Sequence, residues 1–317
     1  MRRILVTGAL GQIGSELIVK LREKYGAENV VATNRSKKEG HDVVYNGGPF
    51  ELLDIRDKER TIELVEKYNI NTIINLAAIL SAVGEQRPLD CWDINMNGLY
   101  NMLEIARERN IMLFNPSSIA AFGPSTPPDM TPQDTIQRPT TMYGVTKVAG
   151  EILCDYYHQR FGTDTRGVRF PGLISYETLP GGGTTDYAVH IYYEAIKNKK
   201  YTSFIKEGTQ MDMMYMPDAL DAIVELMEAD GDKLIHRNAF NITAMSFTPE
   251  EIAASIKKYI PEFEMDYDVD PVRQAIAESW PNSLDASAAK EEWGFSPKYD
   301  LDAMTRDMLD KLSKKLK

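Results

Sequence analysis

The sequence predicts an α/β fold, in which a doubly wound parallel sheet is followed by a smaller C-terminal α/β lobe. Two observations carry this prediction. Short apolar, β-branched runs alternate with amphipathic helical stretches through the first half of the chain, a pattern typical of a parallel sheet covered by helices on both faces. A glycine-rich turn separates the first such run from the first helix, and sheets of this class bind ligands at the carboxyl ends of their strands.

The chain of 317 residues exceeds the usual size of one hydrophobic core. We expect a first domain over residues 1–172 and a second lobe mainly over 173–317, with residues near 213–243 returning to the first domain. Within the second part, the patterns predict helices near 186–198, 217–229 and 249–259, a strand at 238–242 and a charged helical tail over 285–317. A flexible glycine loop is predicted at 179–185.

The glycine turn comprises Gly8, Gly11 and Gly14, between the apolar run 4–6 and a helical pattern. Glycines in such a turn let the backbone approach a pyrophosphate, and the N–H groups and dipole of the helix attract its charge. A glycine triplet alone is a weak signal, but the strand before it and the helix after it predict a dinucleotide site. A turn without a ligand is the less favoured alternative.

Further strands are predicted at 30–33, 71–76, 111–114 and 166–170, and further helices at 91–109 and 143–161. Gly8, Ala77, Ser118 and Pro171 fall at carboxyl ends of these strands. Because such ends share one edge of a parallel sheet, we expect these four positions to border the cofactor.

The strand at 30–33 ends at Asn34 and Arg35, where an acidic residue usually binds the ribose 2′-hydroxyl of NAD. Asn34 can hydrogen-bond a ribose, whereas Arg35 can pair with a 2′-phosphate, so NAD and NADP both stay open on this signal. Asp54 and Ile55 are candidates for the adenine edge. A plain carboxylate preceding a helix is a nearly equal interpretation of Asp54.

Tyr143 and Lys147 are one helical turn apart in the run T-M-Y-G-V-T-K, and Ser118 precedes Tyr143 by 25 residues. A helix places the phenol and the ammonium on one face. The ammonium favours the phenolate, which makes the phenol a base near neutrality. If the Ser118 hydroxyl reaches the same substrate atom, the three side chains can remove the proton of a secondary alcohol while a hydride leaves the carbon that bears it. The spacing alone is weak, because Tyr193 and Lys197 repeat it.

Composition disfavours several classes of function. The 47 acidic residues outnumber the 36 Lys and Arg residues, and the net charge of −11 disfavours nucleic acid and anionic membranes as partners. Cys91 and Cys154 lack paired spacing, so we expect reduced thiols and a cytoplasmic protein. The N-terminus already resembles a strand rather than a signal peptide, and no apolar run reaches about 18 residues. The four histidines are isolated in sequence, so no metal site is predicted.

Five motifs stand in a characteristic order: T-G-A-L-G-Q-I-G, L-A-A-I-L-S-A, P-S-S-I-A-A-F-G, Y-G-V-T-K and R-F-P-G-L-I-S-Y. Together they resemble the extended short-chain dehydrogenase/reductase family, which contains nucleotide-sugar epimerases and dehydratases. The resemblance covers essentially the whole chain and implies a Rossmann sheet that binds NAD. The cofactor contacts that it implies are Gly8, Gly11, Gln12, Ile13, Gly14, Asn34, Arg35, Asp54, Ile55, Leu76, Ala77, Ala78, Asn95, Tyr143, Lys147 and Pro171.

Nucleotide-sugar epimerases carry an arginine soon after a G-T pair of the second lobe, and it binds the diphosphate. This chain has Met211 and Asp212 there, and an aspartate would repel a phosphate. Segments 171–189, 213–219 and 279–295 instead resemble the epimerase-like, zinc-independent L-threonine 3-dehydrogenases. That group implies NAD-dependent oxidation of L-threonine to 2-amino-3-ketobutyrate, and a homodimer paired through the helices at 91–109 and 143–161. Asn34 departs from its pattern, in which an aspartate is common.

The resemblance also implies roles for single residues. Tyr143 takes the proton of the C3 hydroxyl, Lys147 binds the nicotinamide ribose and lowers the pKa of Tyr143, and Ser118 stabilises the developing carbonyl. The amino-acid end of the substrate is assigned to Ser81, Thr184, Thr185, Asp186 and Trp280.

Several of these roles have ordinary alternatives. Ser81 is equally well a loop serine, one of the two threonines is expected to cap a helix, and Asp186 suits a first-turn helix charge better than an ammonium partner. Trp280 is almost as well explained by packing between lobes. For the whole protein, the alternatives are a nucleotide-sugar epimerase or dehydratase and a non-catalytic dinucleotide sensor. Coupling to a 2-amino-3-ketobutyrate CoA ligase is a further possibility left open by the sequence.

Overall fold

The computed structural model of the protein describes residues 1–177 and 183–316, and strands and helices alternate through its first half. Its strands are β1 (Ile4–Thr7), β2 (Val30–Asn34), β3 (Phe50–Leu52), β4 (Thr72–Asn75), β5 (Met112–Phe114), β6 (Ser117–Ser118), β7 (Thr165–Arg166), β8 (Val168–Phe170), β9 (Gly172–Ile174), β10 (Lys200–Ser203), β11 (Met211–Tyr215), β12 (Phe240–Asn241), β13 (Met245–Phe247) and β14 (Glu264–Tyr267). Its helices are α1 (Gln12–Tyr25), α2 (Asp42–Asn46), α3 (Lys58–Lys67), α4 (Ser81–Gln86), α5 (Pro88–Trp92), α6 (Gly98–Arg109), α7 (Met142–Phe161), α8 (Tyr187–Asn198), α9 (Met216–Glu228), α10 (Pro249–Lys257), α11 (Pro271–Ala277), α12 (Ser287–Trp293) and α13 (Leu301–Lys315).

A six-stranded parallel sheet occupies the centre of the first half, in the order β3-β2-β1-β4-β5-β7. Ile4 of β1 pairs with Val30 on one side and Thr72 on the other. All four residues of β1 are buried, as expected where helices cover both faces of a parallel sheet. The strand order reverses beside β1, and that is where doubly wound sheets bind their ligands. The predicted fold class is confirmed.

The two helices predicted beside the site are present. α7 spans the predicted residues 143–161, and the Thr141 side chain caps it by accepting a hydrogen bond from Gly144 N. The predicted helix at 91–109 is the end of a longer helical run, in which a π-helical turn at Asp93–Asn97 joins α5 to α6. Such turns are rare and concentrate at functional sites.

Three smaller sheets follow, with the orders β12-β8-β6, β13-β11-β9 and β10-β14. The single strand predicted at 166–170 is two strands, because the chain leaves the central sheet after β7 and enters the second sheet at β8. The strand predicted at 238–242 is confined to the two residues of β12.

The hydrophobic core continues from the central sheet into α9. Met214, Met216 and the apolar face of α9 share one buried cluster with α1 and β1, so residues 216–228 lie against the first half of the chain. Met211 and Met213 are buried in a second cluster with α8, α10 and α13. The methionine run is therefore core filling, as predicted. The domain division at residue 172 stays a prediction.

The charged tail predicted as helical over 285–317 contains two helices instead of one. Gly294 ends α12 in the left-handed conformation, with φ of +80°, a position that glycine adopts without strain. Residues 179–182 of the predicted glycine loop, like Lys317, lie outside the described residues. Within residues 1–177 and 183–316, no helix is both long and apolar enough to cross a membrane.

Candidate active site

A cavity of about 280 Å³ opens at the carboxyl edge of the central sheet. It brings together eighteen of the residues that the sequence singled out, contributed by eight separate stretches of chain. They are Gly8, Gly11, Gln12, Ile13, Gly14, Leu76, Ala77, Ala78, Ser81, Asn95, Ser118, Tyr143, Lys147, Pro171, Thr184, Thr185, Asp186 and Trp280.

Two glycines of the turn that lines this cavity leave no room for a Cβ. A Cβ on Gly14 would lie 2.3 Å from the Gly8 carbonyl oxygen. Gly8 has φ of +65°, and a Cβ there would lie 2.8 Å from Ala77 N. The side-chain nitrogen of Gln12 is buried without a hydrogen-bond partner, although Gln12 lines the cavity. A backbone cradle at a helix N-terminus with an unused donor fits the pyrophosphate of a dinucleotide.

Polar side chains tie the neighbouring strand ends to this turn. Thr7 donates to Asn75 Oδ1 at 2.8 Å and accepts from Ala77 N at 3.2 Å, and Asn75 donates to Asn115 Oδ1 at 3.0 Å. Asn75 and Asn115 line the cavity and were missed in the sequence. Asn115 directly follows the predicted strand at 111–114, so the rule that selected Ala77 and Ser118 could have found it, whereas Asn75 lay inside the strand predicted at 71–76 and ends β4 in the structure.

Tyr143 lies in the wall of the cavity and is 9% exposed. Burial raises its pKa to about 12, and a hydrogen bond with the Ser118 side chain opposes that shift. In the chain alone the net shift is upward, because desolvation of the phenolate is its largest cause. The lowering of this pKa by Lys147 together with the oxidised cofactor stays a prediction.

Lys147 lies 5.3 Å from the centroid of the Tyr143 ring and donates to the Pro116 carbonyl oxygen at 2.6 Å. Burial lowers its pKa to about 8, and Glu151, one turn further along α7, opposes the shift. Glu151 accepts a hydrogen bond from Ser117 and forms a buried ion pair with Arg169 at 2.9 Å. Helix α7 thus contacts three consecutive residues: Lys147 binds Pro116, Glu151 binds Ser117, and Tyr143 binds Ser118.

Asn95 lines the cavity, but its amide is committed to the protein. It accepts from Ile79 N at 2.8 Å and donates to Ile79 O at 3.1 Å and Thr146 Oγ1 at 3.1 Å. These bonds lock the loop that leads to Ser81, so the structure favours positioning over direct cofactor contact for this side chain.

The residues predicted for the substrate line the same cavity. Ser81 begins α4, and Thr184, Thr185 and Asp186 form a helical turn before α8. Neither threonine is a helix cap: the cap positions belong to Gly183 and Asp186, and Asp186 Oδ2 accepts from Gly183 N at 2.5 Å. The expectation that one threonine is a cap is therefore wrong, while the first-turn interpretation of Asp186 holds.

Trp280 packs against two clusters at once. One contains Cys91, Ala120 and Tyr143, and the other contains Leu284 and Phe122. The side chain therefore lies beside Tyr143 as well as between the two halves of the chain.

The four predicted adenosine contacts, Asn34, Arg35, Asp54 and Ile55, are not among the residues that line the cavity. Asn34 donates to Ser36 O at 2.8 Å. Asp54 forms an ion pair with Arg56 at 2.7 Å. The hydrogen bond from the Arg56 side chain is the largest cause that lowers the pKa of Asp54. Ile55 is buried. The structure thus favours the ordinary interpretation of Asp54.

Charge is sparse around the cavity. Among its described lining residues, Lys147 is the one lysine or arginine and Asp186 is the one aspartate or glutamate. No group of three metal-ligating side chains occurs in residues 1–177 and 183–316.

Comparison with known proteins agrees with this geometry. The model of the NAD dependent epimerase/dehydratase family matches residues 4–243. An uncharacterized epimerase/dehydratase of Staphylococcus saprophyticus is 59% identical over 317 residues, which is 100% of this chain and 99% of that protein. The solved L-threonine dehydrogenase of Clostridium difficile is 68% identical with a TM-score of 0.98, over 99% of this chain and 98% of that one. A monomeric L-threonine 3-dehydrogenase from a metagenome is 45% identical with a TM-score of 0.93, over 99% of this chain and 100% of that one. The resemblance drawn from the motifs is thereby confirmed: the chain belongs to the NAD-dependent epimerase/dehydratase family of extended short-chain dehydrogenase/reductases, and its cofactor is NAD.

Proposed function

We propose that the protein oxidises the C3 hydroxyl of L-threonine to 2-amino-3-ketobutyrate with NAD. The observation that carries the proposal is one cavity lined by the glycine turn, by Tyr143 with Ser118, and by the hydroxyl side chains of Ser81, Thr184 and Thr185. The similarity to solved L-threonine dehydrogenases supports the choice of substrate.

Tyr143 is the proton acceptor in this mechanism. Its phenolate takes the proton of the C3 hydroxyl, while the Ser118 hydroxyl bonds the same oxygen and stabilises the carbonyl that develops there. Lys147, fixed by Pro116 O, supplies positive charge beneath the Tyr143 ring. When bound, NAD supplies the acceptor for the hydride that leaves C3. The glycine turn would hold its pyrophosphate, and Lys147 its nicotinamide ribose.

The zwitterionic end of threonine needs hydrogen-bond partners when it leaves water. Ser81, Thr184 and Thr185 offer hydroxyl donors for the carboxylate, and Asp186 is the one acidic side chain among the described residues that line the cavity. Trp280 excludes water from the reacting carbon by covering the apolar side of the site.

A nucleotide-sugar epimerase or dehydratase is the second candidate, because it shares the fold and the Tyr143–Lys147 pair. The diphosphate of a nucleotide-sugar would lie in the site in addition to the pyrophosphate of the cofactor, and cationic side chains, arginine above all, would favour it. The described residues that line the cavity include no arginine, which favours a small substrate.

The deciding experiment follows absorbance of the reduced cofactor with purified protein, NAD and L-threonine. We expect turnover with L-threonine and none with a UDP-hexose. Conversion of the UDP-hexose without oxidation of threonine would overturn the proposal in favour of the epimerase.

We also propose a homodimer formed through helices α5, α6 and α7. Helices α5 and α6 both pack against α7, and the three helices expose large apolar side chains: Leu89, Trp92, Tyr100, Val145, Ile152, Tyr156 and Phe161. Exposed apolar side chains on neighbouring helices are typical of an interface between subunits. The monomeric relative makes the oligomeric state a matter for measurement. Coupling to a ligase for 2-amino-3-ketobutyrate stays a prediction, supported only by the reactivity expected of that product.

A further inference from the structure

Asp212 is a buried carboxylate that the chemistry above does not use. It lies in β11, is 1% exposed, and is not among the residues that line the cavity. Asp212 stands near the position where nucleotide-sugar epimerases carry a phosphate-binding arginine. Repulsion of a phosphate therefore does not explain this residue, because its carboxylate faces the interior of the protein.

Three neutral donors satisfy the Asp212 carboxylate. Oδ1 accepts from the Thr243 hydroxyl, Oδ2 accepts from Leu284 N at 2.7 Å, and Met213 N contributes a further backbone bond. Burial raises the pKa of Asp212 to about 7. Burying a carboxylate costs free energy, so its presence here indicates that the hydrogen bonds it accepts are needed to hold the chain segments that donate them.

The bond to Leu284 fixes residues 279–285, which we call the wall segment. Ser246, the cross-strand partner of Asp212 in β13, donates to Asn282 O. Strands β11 and β13 therefore bind the wall segment through two hydrogen bonds, at Leu284 and at Asn282. On its other side, Asn282 N donates to Pro128 O at 2.7 Å, and Thr131 N donates to Ser283 O at 2.9 Å.

The wall segment carries Trp280, which packs on Tyr143 through one cluster and on Leu284 through the other. Any shift of Leu284 is therefore transmitted to the ring beside the reacting atoms. Rigid support of this kind determines how well a small substrate is oriented.

We propose that Asp212 is a positioning residue of the substrate site: by holding Leu284 N it fixes the wall segment, and with it the place of Trp280 against Tyr143. The effect on threonine rests on the proposed function, whereas the hold on the wall segment does not.

The test compares Asp212→Ala with Asp212→Asn and Asp218→Ala. The asparagine retains an oxygen for Leu284 N and can donate to Thr243, so it is expected to rescue. Asp218 is a matched control, because it is also buried and also accepts two backbone bonds, from Lys298 N at 2.9 Å and Tyr299 N at 3.1 Å. If Asp212→Ala does not fold, Asp212→Leu replaces it, since leucine keeps the branched shape without the acceptors.

Amide hydrogen exchange of the wall segment, read by mass spectrometry without substrate, measures the hold directly. We expect it to rise about tenfold in Asp212→Ala, as follows from loss of one buried hydrogen bond, and to stay at the parent value in Asp212→Asn and Asp218→Ala. Steady-state kinetics then separate KM from kcat. The KM for L-threonine is expected to rise about tenfold in Asp212→Ala, with kcat and NAD affinity nearly unchanged.

Unchanged exchange in Asp212→Ala, or an equal rise of KM in Asp218→Ala, would overturn the inference. If the parent protein did not oxidise threonine, the proposed function would fail, while the exchange experiment would still decide whether Asp212 holds the wall segment.

Discussion

The Ser117 hydroxyl donates a hydrogen bond to the Glu151 carboxylate, which lies on α7 one turn beyond Lys147. Ser117 directly precedes Ser118, so this bond joins the strand that carries one reacting side chain to the helix that carries the other two. Arg169 and Gln137 complete the bonding of the carboxylate, at 2.9 Å and 2.7 Å.

Ser117→Ala is expected to lower kcat about threefold to tenfold, because the neighbouring Ser118 loses part of its support. It should also lower the free energy of unfolding by about 1 kcal/mol. Ser203→Ala is the control, since Ser203 is equally buried and hydrogen-bonded to Ile205 but lies in β10, away from the cavity. Urea unfolding and steady-state kinetics check both variants; a similar loss of kcat in the two would show that stability alone is responsible.

Tyr143→Phe is expected to lower kcat by at least about 100-fold, because it removes the proton acceptor, and to leave NAD affinity intact. Tyr193→Phe provides a matched control: Tyr193 is also followed by a lysine four residues later and also hydrogen-bonds through its hydroxyl, to Tyr176 O at 3.3 Å. Initial rates with saturating L-threonine and NAD distinguish the two. Substantial activity in Tyr143→Phe would refute its role as the base.

Gly14→Ala is expected to abolish NAD binding, since its Cβ would lie 2.3 Å from the Gly8 carbonyl oxygen and force the turn apart. Gly208→Ala places a Cβ in open space at φ of +75°, so it should cost about 1 kcal/mol of stability through backbone strain alone. Titration of NAD by quenching of intrinsic fluorescence compares the variants. Ordinary NAD affinity in Gly14→Ala would place the cofactor elsewhere.

Asp212 is expected to make the folded protein less stable as the pH rises from about 4 to about 7. Burial raises the pKa of its carboxyl to about 7 in the folded chain, whereas an exposed aspartate titrates near about 3.9. The folded state therefore binds more protons within this window, so the contribution is fully present below about pH 4 and is lost as the pH rises through the folded pKa. Urea unfolding across this range should give a steeper decline for the parent than for Asp212→Asn. Equal slopes would show that the carboxyl titrates alike in both states.

Ile152→Glu is expected to convert the proposed dimer to a monomer, because a charge on the apolar face of α7 would have to be buried on association. Ile152 is 61% exposed in the single chain. Ile235→Glu is the control, since Ile235 is 82% exposed but lies before β12, away from the proposed interface. Light scattering behind gel filtration reads the mass. A parent protein of monomer mass would contradict the dimer outright.

Much of the site could be predicted because its signals are local. The glycine turn and the Tyr143–Lys147 spacing each depend on residues a few positions apart, and helix periodicity converts that spacing into a shared face. The family motifs extended the prediction to Ser81 and Trp280, which the structure places in the same cavity.

Other expected cofactor contacts already have hydrogen-bond partners within the protein. Asn34 and Asp54 satisfied a positional rule for adenosine contacts, and in the chain alone their side chains bind Ser36 and Arg56, each two residues further along; their contact with the cofactor stays a prediction. Asn95 was assigned to the cofactor, but its amide is occupied by Ile79 and Thr146. A sequence pattern identifies a polar side chain at an edge without revealing which partner satisfies it.

The sequence by itself determined the class of fold, the glycine cradle and the identity of the candidate base, since each follows from backbone preference or helical repeat. Only the tertiary structure decided how these groups are supported and tuned. The pKa of Tyr143 is raised by burial, and the wall that carries Trp280 is held by Asp212, 72 residues away from Leu284 in the chain. Desolvation and hydrogen bonds between distant residues depend on the packed arrangement, which no local spacing encodes.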